Sequence, residues 1–197
     1  MSERISKTKK QLIDVARELF ASNGKKNLTM NDIAEASHKG RRTLYTYFKS
    51  KDEVYKAVID NEINLIIDRL ILVSKKNINP YEKLKDHILT HFNTVKNSVT
   101  RNGTLRADFF RDIYEVERSR RRIDIIELGL IKSILTEGVE KGYFRKMDTE
   151  MMSIIILYAM KGLEVPYIRQ NLETDYIGEK TDILEFIFNG IKETKDL

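Results

Sequence analysis

Apolar residues recur at helical spacing along nearly the whole chain, and strand-like alternation is rare. The stripe Leu12, Val15, Ala16, Leu19 and Phe20 predicts a first helix over about residues 6–23, and Asn23-Gly24 ends it. Thr29, with Asp32 three residues on, predicts a capped second helix holding Ile33, Ala34 and Ala36. A break at Ser37-His38-Lys39-Gly40 leads to a short third helix over about 41–47. Ser50 or Asp52 opens a long fourth helix through Val54, Val58, Ile63, Ile67 and Leu70. Asn79-Pro80 starts a fifth, running to about Lys96. Thr104 begins a sixth, a seventh covers about 117–140, and Gly142 stops it. Asp148 caps an eighth, and Pro166 with a loop separates it from a ninth over about 181–194. The prediction is an all-α protein of nine helices with no internal repeat.

The second and third helices span only about two turns each, too short to be stable alone. They need partners, and the first helix and the start of the fourth supply them. Two short crossed helices braced in this way are the helix-turn-helix plan, whose second helix enters the major groove of DNA. Ile33, Leu44 and Phe48 form the expected buried wedge. Lys39, Arg41, Arg42, Thr43, Tyr45 and Tyr47 form the expected outer face, with Gly40 at its start. Arginine can grip the O6 and N7 acceptors of guanine with two bonds. Threonine and tyrosine hydroxyls suit phosphate oxygens. Lys51 falls at the start of the fourth helix, where backbone N–H groups also favour a phosphate. The competing reading of Lys39, Arg41 and Arg42 is an ordinary solvated face, and Tyr45 or Tyr47 could instead pack on the first helix.

Charge sharpens the choice. The chain of 197 residues carries a net charge of +5. Residues 1–60 hold 13 Lys+Arg against 8 Asp+Glu, whereas residues 61–197 hold 22 of each. The whole excess sits in the first third, where a local positive field attracts a polyanion.

The stretch Leu12 to Val58 resembles the N-terminal domain of the tetracycline-repressor-type (TetR) family of bacterial transcription regulators. The resemblance rests on Ala16-Arg17-Glu18-Leu19-Phe20, Asn23-Gly24, Thr29 to Ala36, and Thr43 to Glu53. The helix ending Glu137-Gly138-Val139-Glu140-Lys141-Gly142-Tyr143-Phe144 is a further local cue. The family turn carries a glycine and then an apolar residue; here His38 and Lys39 stand in those places, and Gly40 comes later. The resemblance implies phosphate-backbone contacts from Thr29, Tyr47 and Lys51. It implies base or near-base contacts from Arg41, Arg42, Thr43 and Tyr45. It also implies a DNA-binding domain over 1–58 and an effector-binding and dimerisation domain over 59–197. The expected partners are a double-stranded operator, a second copy of the chain through the last two helices, and a small apolar effector. The effector would lie among the fourth to eighth helices, with Phe92, Phe109, Phe110, Tyr114, Tyr158 and Met160 as candidate lining residues. Core packing is the competing role for each of these six.

Other features narrow the field. The eighth and ninth helices are apolar on nearly all sides, which suits burial against a partner. There is no cysteine, so disulfides, thiolate zinc sites and cysteine nucleophiles are excluded. The polar N-terminal residues and the short apolar run Ile154 to Met160 predict a cytoplasmic protein with no membrane span. His87 and His91 lie four apart on the fifth helix, but Ile88 replaces the glutamate of a zinc-protease motif and no third ligand is evident. Arg118, Arg120, Arg121 and Arg122 form a basic knot that reads as a second phosphate patch or as a solvated helix start. No catalytic constellation stands out, and no cofactor or enzymatic activity is expected. The primary expectation is therefore a dimeric repressor released by a small molecule. The alternatives are a non-specific architectural DNA binder, or a carrier or enzyme that keeps an unused head.

Overall fold

The computed structural model describes residues 6–101, 113–168 and 188–191; for 113–120 and 168 it describes the backbone. The described elements are all helical. They are α1 (Lys7–Asn23), α2 (Met30–Ala36), α3 (Arg41–Tyr47), α4 (Lys51–Ser74), α5 (Pro80–Arg101), α6 (Ile113–Glu140) and α7 (Thr149–Ile168). A 3-10 turn over Lys25–Asn27 follows α1, and residues 188–191 are helical. Predicted starts at Thr104 and most of the predicted ninth helix lie outside the described residues.

Local chemistry sets most boundaries. The Ser6 hydroxyl accepts from the Lys9 N–H at the head of α1, and Gly24 takes φ 76° past its end. Asn79 accepts from the Glu82 N–H at 2.9 Å, and Asp148 accepts from the N–H groups of Glu150 and Met151. Three boundaries differ from expectation; α6 begins at Ile113, about one turn before the predicted 117. α5 runs one turn past Lys96, because Val99 is buried and Ser98 and Arg101 both donate to the buried Glu62 carboxylate. Pro166 does not end α7 but lies inside it. A proline removes one helical hydrogen bond and crowds the carbonyl four residues back. Here the last turn is held instead by Tyr167, whose buried ring meets Phe92 edge-on at 5.3 Å and whose hydroxyl donates to Asn93 at 3.2 Å.

The chain divides into two compact units, Met1–Asn64 with Ser98–Arg120, and Leu65–Asn97 with Arg121–Leu197. The core of the first gathers Leu12, Ala16, Phe20, Ile33, Leu44 and Val54. Phe20 meets Tyr55 edge-on, with centroids 5.3 Å apart. The second core is built from Leu84, Ile88 and Phe92 of α5, Ile131, Ile134 and Leu135 of α6, and Ile156, Leu157 and Met160 of α7, with Phe144 between. Burying such side chains contributes about 1.5–3 kcal/mol each, before chain entropy is counted. Phe144 is locked in the turn after α6: its ring lies against Gly138, and its N–H donates to the Gly138 carbonyl. The next N–H, from Arg145, donates to the carbonyl of Ile191 at 3.0 Å.

Candidate nucleic-acid interface and apolar cavity

The first unit presents a short outer helix on a rigid base. Thr29 caps α2 from both sides: its hydroxyl accepts from the Asp32 N–H and donates to the Asp32 carboxylate, which also accepts from the Thr29 N–H at 2.8 Å. Those bonds hold the Asp32 carboxyl below its usual range, the Thr29 backbone N–H contributing most. The turn after α2 closes with Lys39 N–H on the Ala34 carbonyl and His38 N–H on the Glu35 carbonyl. This is the double bond pattern of a Schellman motif, which needs a left-handed residue. His38 supplies it with φ 52°, whereas Gly40 sits at φ −64° in ordinary extended backbone. The histidine therefore does the family glycine's conformational work, and the later glycine has not taken it over.

Ile33, Leu44 and Phe48 are buried as expected, and they press α3 onto α2 and α1. Arg41, Arg42 and Tyr45 stand outward, Tyr45 46% exposed; Thr43 and Lys39 are half-buried. Among the described residues neither Arg41 nor Arg42 meets a carboxylate, so both guanidinium groups are open to a ligand. Tyr47 is half-buried and its oxygen accepts from the Ser6 hydroxyl at 3.2 Å, which ties the end of α3 to the start of α1. Lys51 has a structural task that the sequence did not signal: its ammonium donates to the carbonyls of Lys25 at 2.7 Å and Leu28 at 2.6 Å. It fastens the segment that leads into the Thr29 cap.

The second unit contains a partly open cavity of about 880 Å³ beside α7. Phe92, Tyr158 and Met160 line it, as do Ile88, Met152 and Leu163. Phe109 and Phe110 lie outside the described residues, and so does the side chain of Tyr114. Sequence reasoning missed Arg145 and Asn189, which bring a guanidinium and an amide to the lining. Both come close to α7 only through the turn after α6 and the 188–191 segment, a long-range arrangement with no local signature.

His87 and His91 also found unexpected partners. Glu127 of α6 accepts from both, His87 Nε2 at 3.1 Å and His91 Nδ1 at 2.9 Å, and Glu164 of α7 lies 3.3 Å from His91 Nε2. All four are buried. Burial alone pushes His91 down, but hydrogen bonds to Glu127 and Glu164 and their charges outweigh it and raise His91 to about 9. Burial pushes Glu127 up, and the two histidines reverse that, lowering it to about 2. Among the described residues no group of His, Asp and Glu is placed to hold a metal ion. The signal available in sequence was a carboxylate on each core stripe: Glu127 lies one turn before Ile131, and Glu164 one turn after Met160. The side chains of Arg118 and Arg120 lie outside the described residues, and Arg121 and Arg122 are exposed. No described helix is long and apolar enough to cross a membrane.

Residues 12–58 match the model of the bacterial regulatory proteins of the tetR family. The fatty acid metabolism regulator protein of Bacillus subtilis is 22% identical over 182 residues, covering 92% of this chain and 94% of its own. The transcriptional repressor KstR2 of Mycobacterium tuberculosis is 22% identical over 156 residues, 76% of each chain. Among solved structures, the regulator FadR of Bacillus subtilis in complex with stearoyl-CoA superposes with a TM-score of 0.66 at 21% identity, covering 92% of this chain and 98% of that one.

Proposed function

The chain is a transcriptional regulator of the tetR family, and we propose that it acts as a homodimeric repressor whose grip on a palindromic operator is released by a small apolar effector. The observation that carries the DNA part is the outward face of α3, where Arg41 and Arg42 stand side by side with no acidic partner among the described residues. In this reading Arg41, Arg42, Thr43 and Tyr45 read or approach base edges. Thr29, Lys39, Gly40, Tyr47 and Lys51 lie against the phosphate backbone, Lys51 with the ammonium proton its two carbonyl bonds leave over. Residues 1–58 form the reading domain and 59–197 the effector and dimer domain.

The exposed apolar stripe Met151, Ile155 and Tyr158 on α7 supports pairing with a second copy. A two-fold dimer suits half-sites about one helical turn, roughly 34–36 Å, apart. The cavity beside α7 supports an apolar effector, and the stearoyl-CoA bound by the similar FadR supports an acyl chain as its apolar part. Such a ligand weakens operator binding only through its difference in affinity for the bound and released arrangements.

Selection of binding sites from random duplexes, followed by footprinting, tests this reading. Enrichment of one inverted repeat supports it. Binding to all duplexes alike would identify an architectural binder instead.

A further inference from the structure

The first turn of α1 is seated on the end of α3 by two separate contacts. The Ser6 hydroxyl donates to the Tyr47 oxygen at 3.2 Å, across 41 positions of chain. The Lys9 ammonium stands 5.7 Å from the centre of the buried Phe48 ring. Tyr47 is the last residue of α3, and Phe48 is its C-cap. Ser6 also caps α1, where its oxygen accepts from the Lys9 N–H at 3.1 Å. That bond fixes the oxygen in place, and its single proton is directed at Tyr47.

A phenol oxygen can accept one proton while its own is donated elsewhere. Among the described residues no second protein group bonds to the Tyr47 hydroxyl, so its proton is uncommitted. Tyr47 lies one turn after Thr43, at the edge of the outward face that carries Arg41, Arg42 and Tyr45. Of the two hydroxyls the phenol is the better donor, and an anionic acceptor outside claims it in a charge-assisted bond. The two bonds then run in one direction, serine to phenol to anion, and each polarises the other. A phenol tethered at its oxygen also has fewer orientations to lose on binding.

We propose that Ser6 is a positioning residue for DNA binding: it holds the Tyr47 phenol so that the phenol proton meets a phosphate of the duplex. This deepens the DNA reading given above and rests on its Tyr47 contact. The link is neutral and touches no base, so it contributes the same factor for every sequence and leaves the salt slope alone.

The test is a double-mutant cycle on duplex affinity with Ser6→Gly and Tyr47→Phe. It is read on random-sequence duplex and on the selected inverted repeat, at a temperature where every variant is folded. Glycine is a tolerated N-cap, so Ser6→Gly removes the hydroxyl with little loss of helix stability. Tyr47→Phe should weaken both duplexes by about ten- to a hundredfold. Ser6→Gly should weaken both by about two- to tenfold, with no further loss once Tyr47→Phe is present. Ser6→Thr, which keeps cap and donor, should bind as the parent does. Replacing single phosphates of the repeat with neutral methylphosphonates gives a readout that a purely structural tie between α1 and α3 would not move. At one phosphate of each half-site the effects of Ser6→Gly and Tyr47→Phe should both largely vanish. Losses that multiply, a Ser6→Gly chain that binds as the parent, a Ser6→Thr chain that does not, or a Ser6→Gly effect that no phosphate replacement removes each overturns the role of Ser6 while the DNA reading stands. A Tyr47→Phe chain that binds as the parent overturns the phosphate contact and the proposal together, with Arg41 and Arg42 untouched. Failure of the parent to bind any duplex overturns the DNA reading itself.

Discussion

His91 Nδ1 lies 2.9 Å from Glu127, and its other nitrogen lies 3.3 Å from Glu164, so one imidazole bridges carboxylates of α6 and α7 from its place on α5. Its raised value, about 9 against an ordinary 6.5, means stability that is full below 6.5 and is lost as pH rises through 9. Glu127, lowered to about 2 from 4.5, contributes stability that is full above 4.5 and is lost as pH falls through 2. Thermal unfolding followed across pH should therefore show its best stability between about 4.5 and 6.5 from this cluster. His91→Leu should remove the alkaline decline and cost about 3–5 kcal/mol in urea titrations, since it leaves two buried carboxylates short of a cation. An unchanged alkaline limb would show that His91 is not charged in the folded chain.

Gly138 should tolerate no side chain. A Cβ there would stand 2.0 Å from the ring of the fully buried Phe144. Gly138→Ala is expected to lose about 1–3 kcal/mol, the cost of overpacking a core, despite alanine's better helix propensity. Adding Phe144→Leu should recover part of the loss in a double-mutant cycle, because the two changes share one contact.

His38 carries strain that a glycine would not. A left-handed conformation costs an ordinary residue about 1–2 kcal/mol. His38→Gly should raise the denaturation midpoint by a fraction of that, after the greater freedom of glycine in the unfolded chain is set against it. Loss of stability would mean that the imidazole makes a contact worth more than the strain.

The outer face of α3 separates into testable parts. Arg42→Ala should relax preference at one base position by about 1–3 kcal/mol in competition binding. Gly40→Ala meets nothing within 4 Å but exchanges a favoured N-cap residue of α3 for a poor one, so it should lower stability slightly, and a loss of DNA binding beyond that marks close approach of duplex backbone. Lys51→Ala should lower affinity for all sequences and reduce the salt slope by about 1. It should also lower the melting temperature, because the carbonyls of Lys25 and Leu28 lose their donor. Loss of melting temperature with an unchanged salt slope would confine Lys51 to its structural task.

The α7 stripe gives the assembly prediction. Met151→Glu places a charge on the exposed apolar stripe of α7, whose Ile155 and Tyr158 also line the cavity, so sedimentation should show a shift from dimer to monomer with little change in monomer folding. Persistent dimers would move the seam off this face.

What was legible in the sequence was local. Thr29 with Asp32, Asn23 with Gly24, and Asn79 with Pro80 each act within one turn, so spacing alone revealed three helix boundaries. The wedge Ile33, Leu44 and Phe48 was legible because two short helices have few ways to hide their apolar faces. Pro166 misled because the bonds that hold its turn come from Phe92 and Asn93, more than 70 positions earlier. The pairing of His91 with Glu127 and Glu164 was hidden for the same reason. Lys51 was read only as a phosphate contact because nothing in its neighbours in sequence reveals two carbonyls waiting more than 20 positions back.

The hydrogen bond from the Arg145 N–H to the Ile191 carbonyl makes the turn after α6 a tether. Any solute that draws residue 145 toward itself by an ångström must stretch that bond or carry the 188–191 segment along. A displacement of the backbone at residue 145 is therefore felt directly by a helical segment more than 40 positions further along the chain.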